Sequence, residues 1–175
     1  MIRILTIITT SLFLASCGGS DSAEPDGVGS DPRINEVQDD LNAARQIWQD
    51  QGLIDYSFYY SPRIDRACLP DGVVPDPAPP WLVTVEDNEV ISVRNTSTDE
   101  PKQLPYEEYF GTINDIFEYL EQQLAEAPQV VALSFTAQNE LPTFDDSFGY
   151  PKQIYFEFND DNECSSREII IGNFR

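Results

Sequence analysis

The chain reads as an α+β domain carried behind an export signal, and three observations lead there. Two stretches carry apolar residues at helical steps of three and four. Several others alternate with a period of two. The first sixteen residues form a short apolar run that closes at Leu14-Ala15-Ser16-Cys17. Each helix is expected to cover one face of an antiparallel sheet.

Residues 1–16 hold a single charge, Arg3, followed by an apolar stretch from Ile4 to Ala15. That stretch is too short for a bilayer span, which needs about 20 apolar residues. A charged start, a short apolar region and small residues before a cut site describe a secretory signal peptide. Leu14-Ala15-Ser16-Cys17 resembles the lipobox of bacterial lipoproteins, in which the cysteine becomes the lipidated first residue. The resemblance implies a lipid anchor on Cys17, and two or more acyl chains hold a protein stably at a membrane. Gly18 follows the cysteine where an Asp would favour inner-membrane retention, so the pattern is similar to that of outer-membrane lipoproteins facing the periplasm. Cys17 and the Gly-, Ser-, Asp- and Pro-rich residues up to 33 are read as a flexible tether. Residues 34–175 are left as one globular domain.

The net charge of −21 becomes 9 − 31 = −22 once Arg3 is removed with the signal. So acidic a surface repels nucleic acid and anionic head groups, which leaves the Cys17 lipid as the contact with the membrane and an envelope protein or a glycan as the expected partner. The chain has no histidine. That excludes a Ser–His or Cys–His nucleophile pair, a His-ligated zinc and an imidazole base. No cofactor is implied.

In order along the chain, Asp31 is placed to cap a first helix, with Pro32 at its first position and Gly52 at its C-terminal end. Its apolar stripe is Ile34, Val37, Leu41, Ala44, Ile47 and Trp48, and Trp48 is read as core before ligand stacking. Tyr56 to Tyr60 reads as a strand that Ser61-Pro62 ends, with Tyr56, Phe58 and Tyr60 on one face. Residues 69–80 form a proline-rich loop. A hairpin pairs Trp81–Glu86 with Val90–Arg94 across Asp87-Asn88-Glu89. The second helix starts at Thr112, with Asp115 at capping-box spacing, and stops before Pro128. Val131, Leu133 and Phe135 alternate along a strand. After a loop from Gln138 to Tyr150, a last hairpin pairs Gln153–Phe158 with Glu168–Gly172. Phe58 and Phe156 are expected in the core.

These pieces repeat in order, with possible half-repeats 34–95 and 112–175, and the acidic turns at Asp87 and Asp161 are 161 − 87 = 74 residues apart. An internal duplication and two independently similar halves both fit. The element order resembles tandem helix-plus-sheet folds such as the PepSY domain and the β-lactamase inhibitor protein. A second resemblance rests on Trp48 at a helix end, on Asp55-Tyr56-Ser57-Phe58-Tyr59-Tyr60 with Cys68 soon after, and on Phe148-Gly149-Tyr150-Pro151 before a long strand. On these marks the body is similar to a family of uncharacterised bacterial lipoproteins, a domain of unknown function. That family implies no catalytic residue.

With Cys17 taken by lipid, Cys68 and Cys164 are expected to pair in an oxidising compartment. The closed loop of 164 − 68 = 96 residues would contribute up to roughly 4–5 kcal/mol on the chain-entropy account. Asp145, Asp146, Asp160, Asp161 and Glu163 offer hard oxygen ligands in acidic loops, a setting that suits calcium, although their spacing matches no calcium-loop signature. Glu107, Glu108, Asp145 and Glu157 could supply the carboxyl pair of a glycoside hydrolase. Trp81, Tyr106, Tyr109 and Tyr150 could stack on a sugar or a peptide. The reading is a lipid-anchored, non-catalytic binding or structural module, with a carboxylate-based extracytoplasmic hydrolase or a calcium-stabilised glycan- or peptide-binding domain as the alternatives.

Overall fold

The computed structural model describes residues 30–64, 80–102, 111–158 and 166–175. The elements run α1 (Ile34–Gln51), β1 (Tyr56–Ile64), β2 (Trp81–Glu86), β3 (Glu89–Asn95), α2 (Ile113–Ala125), β4 (Val130–Ala132), β5 (Thr143–Phe144), β6 (Pro151–Glu157) and β7 (Ser166–Gly172). The fold is α+β and dominated by its sheet. The helices pack on an antiparallel sheet as expected, and the described strands of both halves join in that one sheet, ordered β3-β2-β1-β7-β6-β4. The short β5 lies beside β4 along the same edge of β6.

One face of this sheet carries the core. Phe58 faces Val83, which faces Val93, and the row is fully buried. Across the middle, Tyr60 opposes Ile171, and Ile169 opposes Ile154. At the far side Phe156 opposes Val131, both fully buried. The helices lie over this face in one layer and touch each other, with Arg45 of α1 paired to Glu121 of α2 at 2.6 Å. α1 contributes Val37, Leu41, Ala44 and Trp48, while α2 contributes Ile113, Ile116, Phe117, Leu120 and Leu124, the two stripes read from the period of 3.6. Ile47 departs from that reading, being 38 % exposed. No helix among the described residues is long and apolar enough to cross a membrane.

The start of α2 follows the expected chemistry. The Thr112 hydroxyl accepts from the Asp115 N–H, and the Asp115 carboxylate accepts from the Thr112 N–H, a reciprocal capping box. The start of α1 does not. The helix begins at Ile34 with Arg33 at the cap position, and Asp31 divides its carboxylate, one oxygen accepting the Arg33 N–H and the other the Val131 N–H of β4. β1 also runs on past Pro62 to Ile64. Among the described residues, β1 beyond Tyr60 pairs with β7, and Pro62 stands opposite Ile169. The strand expected from Val131 to Phe135 ends at Ala132, and Phe135 is 40 % exposed. The β2–β3 turn is tighter than expected. Asp87 and Asn88 both adopt positive φ, and Glu89 already pairs with Glu86.

Candidate functional site

Asp31 is the first polar group with a fixed task. Its N–H donates to the Pro128 carbonyl at 2.8 Å, and its carboxylate accepts the Val131 N–H at 2.8 Å. The same carboxylate takes the Arg33 N–H and the Arg33 guanidinium. The residue therefore clips the chain ahead of α1 to the edge strand β4 and occupies a donor that a foreign strand could otherwise use. Burial opposes its charge. The Arg33 side chain, the Val131 and Arg33 N–H groups and the Arg33 charge outweigh burial and hold its pKa at about 2, below the ordinary 3.8. A lowered folded-state pKa stabilises the fold above the unfolded value and loses that contribution as pH falls from about 4 through 2. At pH 7 Asp31→Asn is therefore expected to cost about 2 kcal/mol. In urea melts the gap to wild type should close between pH 4 and pH 2, and a gap independent of pH would show that the charge contributes nothing.

A second cluster lies at the C-terminal end of α1, where Trp48, Tyr56, Phe148 and Tyr150 of the family resemblance meet. Phe174 stands among Tyr150 at 5.1 Å, Phe148 at 5.2 Å, Trp48 at 5.5 Å and Tyr56 at 5.6 Å between ring centroids. The Trp48 ring meets Tyr56 edge to face, and its Nε1–H donates to Asn114 at 3.1 Å. The Tyr56 hydroxyl accepts the N–H of Ile113 at the start of α2, and burial pushes its phenol pKa up. Trp48 is 3 % exposed, which makes it a core residue. Phe148 and Ile47, 39 % and 38 % exposed, form an apolar rim on this buried knot. Phe174 had no periodic pattern around it to mark it out in the sequence.

The loop that carries Phe148 is closed by its own hydrogen bonds. Asp145 accepts the N–H groups of Ser147 and Phe148 at 3.0 and 2.9 Å, and the Asp145 and Gly149 N–H groups close the turn on Tyr150 and Asp145 carbonyls. The acidic pair expected as calcium ligands is thus divided. The Asp145 carboxylate holds the turn, while Asp146 points to solvent as an exposed residue.

On the sheet face opposite the helices, Glu168 is 6 % exposed and accepts from Gln153 at 3.1 Å. Tyr155 lies across from Glu168, donates its hydroxyl proton to Glu157 at 3.0 Å and meets Phe135 edge to face. Glu157 ends β6 and Asp145 is bonded to Tyr150 just before its start, so the length of β6, six residue steps or about 20 Å, lies between them. Glycosidase carboxyl pairs stand within about 10 Å of each other, so these two do not form one. Trp81 is half-buried, with the Lys102 ammonium 5.0 Å from its ring, and Tyr150 is buried. Cys17, Cys68, Cys164, Tyr106, Glu107, Glu108, Tyr109, Asp160, Asp161 and Glu163 lie outside the described residues.

The fold and the site define a sheet-dominated α+β domain whose two helices are locked to one face by an aromatic knot. A family pattern matches residues 40–168, and the chain belongs to that family, a family of unknown function (DUF6174). No curated protein and no solved structure matches it.

Proposed function

We propose that this protein is a lipid-anchored, non-catalytic lipoprotein of the bacterial envelope whose α+β body serves as a binding or structural module. Lipid on Cys17 would hold it at the outer membrane, facing the periplasm, with an envelope protein or a glycan as partner. The anchor is supported by the short apolar run, the single Arg3 and the Leu14-Ala15-Ser16-Cys17 pattern. The observation that favours binding over catalysis is the exposure of Phe148 and Ile47, with Gly149, the neighbour of Phe148, packed against Ile47.

The tandem reading of the fold has support of its own. Reading outward from β1, the first half is ordered β1-β2-β3. The second half enters the sheet through β7 and continues β6-β4, which repeats the first order head to tail. The 74-residue offset carries Tyr56 onto Val130, where β4 begins, and carries β2 and β3 onto segments that overlap β6 and β7. An ancestral duplication of a helix-plus-three-strand unit, as in PepSY-like folds, accounts for both.

Detergent phase separation tests the anchor. Wild type is expected in the detergent-rich phase and Cys17→Ser in the aqueous phase. A wild-type protein that stays in the aqueous phase contradicts the proposal.

A further inference from the structure

We infer that the end of the molecule carrying Ile47 and Phe148 is a docking surface for a basic segment of a partner protein, one that presents an apolar side chain among lysines or arginines. The inference rests on the binding-module reading and names its surface and its partner. Ile47 and Phe148 come from different elements and meet through Gly149, whose added Cβ would stand 3.0 Å from the Ile47 Cβ. Beside them the Gln51 side chain of α1 donates to the Ser147 carbonyl at 3.1 Å. Ile54, also exposed, follows α1 at the same end, where its carbonyl accepts the Asn88 N–H of the β2–β3 turn.

Charge selects the partner. Asp50, three residues past Ile47, and Asp146 in the Phe148 turn are exposed. So are Asp55 and Asp87, which are bonded to each other beside Ile54. Among the described residues the cations of this end are Lys152 and Arg175. The excess of carboxylates repels anionic head groups and a second copy of this acidic chain. A neutral glycan brings them no cation. A basic segment can seat one apolar side chain between Ile47 and Phe148 and place its ammonium or guanidinium groups at Asp50 and Asp146. A central apolar anchor supplies affinity, and the rim charges steer the encounter. Position agrees with a partner off the membrane. The described chain enters at Ser30 and Asp31, ahead of the N-terminal end of α1. The docking surface lies toward the other end of that 18-residue helix, which is about 27 Å long.

The test is a titration of the full-length protein held in nanodiscs of zwitterionic lipid, with empty discs as the blank. The probe is a short lysine peptide carrying one central tryptophan. Two controls replace the tryptophan by serine or the lysines by glutamate. The tryptophan–lysine peptide is expected to bind about tenfold more tightly than either control, and more weakly as salt rises. Ile47→Ser and Phe148→Ser should each weaken it about tenfold, while Ile91→Ser, on the edge strand β3, should leave it unchanged. Phe148 also touches Phe174. A double variant, Asp50→Lys with Asp146→Lys, changes exposed side chains alone and should weaken binding by a similar factor. Equal binding of the tryptophan and serine peptides, or binding that survives both sets of variants, would reduce the effect to diffuse attraction and overturn the docking surface. Tighter binding of a neutral chito-oligosaccharide that Phe148→Ser abolishes would overturn it in favour of a glycan. A dimer in sedimentation that Phe148→Ser dissolves would overturn it in favour of a second copy. The anchor is read separately, by whether the protein stays with the discs. A protein that leaves them overturns the lipid reading and is titrated in solution, with the same outcomes for the surface.

Discussion

Gly149→Ala is expected to lower stability by roughly 3–5 kcal/mol, combining backbone strain with overpacking. The glycine sits at φ +82, where an L side chain is strained. A Cβ there would overlap the Ala44 carbonyl oxygen and come within 2.8 Å of the Trp48 nitrogen. Neither backbone atom can yield without moving α1 away from the Phe148–Tyr150 turn. The aromatic knot would open with it, because Tyr150 and Phe148 both contact Phe174. Gly52 provides the control. It too has a positive φ, +61, but nothing lies within 4 Å of an added Cβ. Gly52→Ala should cost only about 1 kcal/mol. Equal urea midpoints for the two variants would show that the close approach at Gly149 does not matter.

Truncation of the two buried phenylalanines should have an effect of similar size. Phe58 and Phe156 are both fully buried, one in the first half of the sheet and one in the second. Phe58→Ala and Phe156→Ala are each expected to cost about 3–5 kcal/mol, the transfer loss plus the cavity left behind. Both residues belong to one continuous core. Each variant should therefore shift a single cooperative transition and leave it undivided. An unchanged melt for either variant would contradict its place in the core, and two separate transitions would contradict the single sheet.

Much of this fold was legible in the sequence because periodicity reports burial directly. The α1 and α2 stripes, the Tyr56-Phe58-Tyr60 face, the Val83 and Val85 face and the capping box at Thr112 all follow from local spacing. Local spacing says nothing about which strands meet across long separations, and the differences from expectation arise there. Asp31 carries the residue type of a helix cap and does accept the Arg33 N–H, yet its other carboxylate oxygen is taken by Val131, a hundred residues away. Pro62 reads as a strand breaker, yet β1 runs on through it, held by the register with β7 across the middle of the sheet. Phe135 falls on the alternation of its segment, but the chain leaves the sheet at Ala132.

The site was harder to read for a related reason. Trp48, Tyr56 and Tyr150 are visible as aromatic residues. Their convergence on Phe174 depends on the C-terminal segment returning to β1, where Ser57 and Arg175 exchange backbone hydrogen bonds. Asp145 looks like a metal ligand by residue type, and its carboxylate is used within its own turn. A list of acidic residues in so acidic a chain cannot separate these roles, since only the surrounding donors do so.

The most direct measurement of the central proposal is the mass of the N-terminal peptide of the mature protein isolated from the cell envelope. A lipid-anchored envelope module predicts a chain that begins at Cys17, with the first sixteen residues gone and the cysteine heavier by its acyl chains. A mature chain that keeps Met1 to Ser16, or one whose Cys17 carries no lipid, would contradict it.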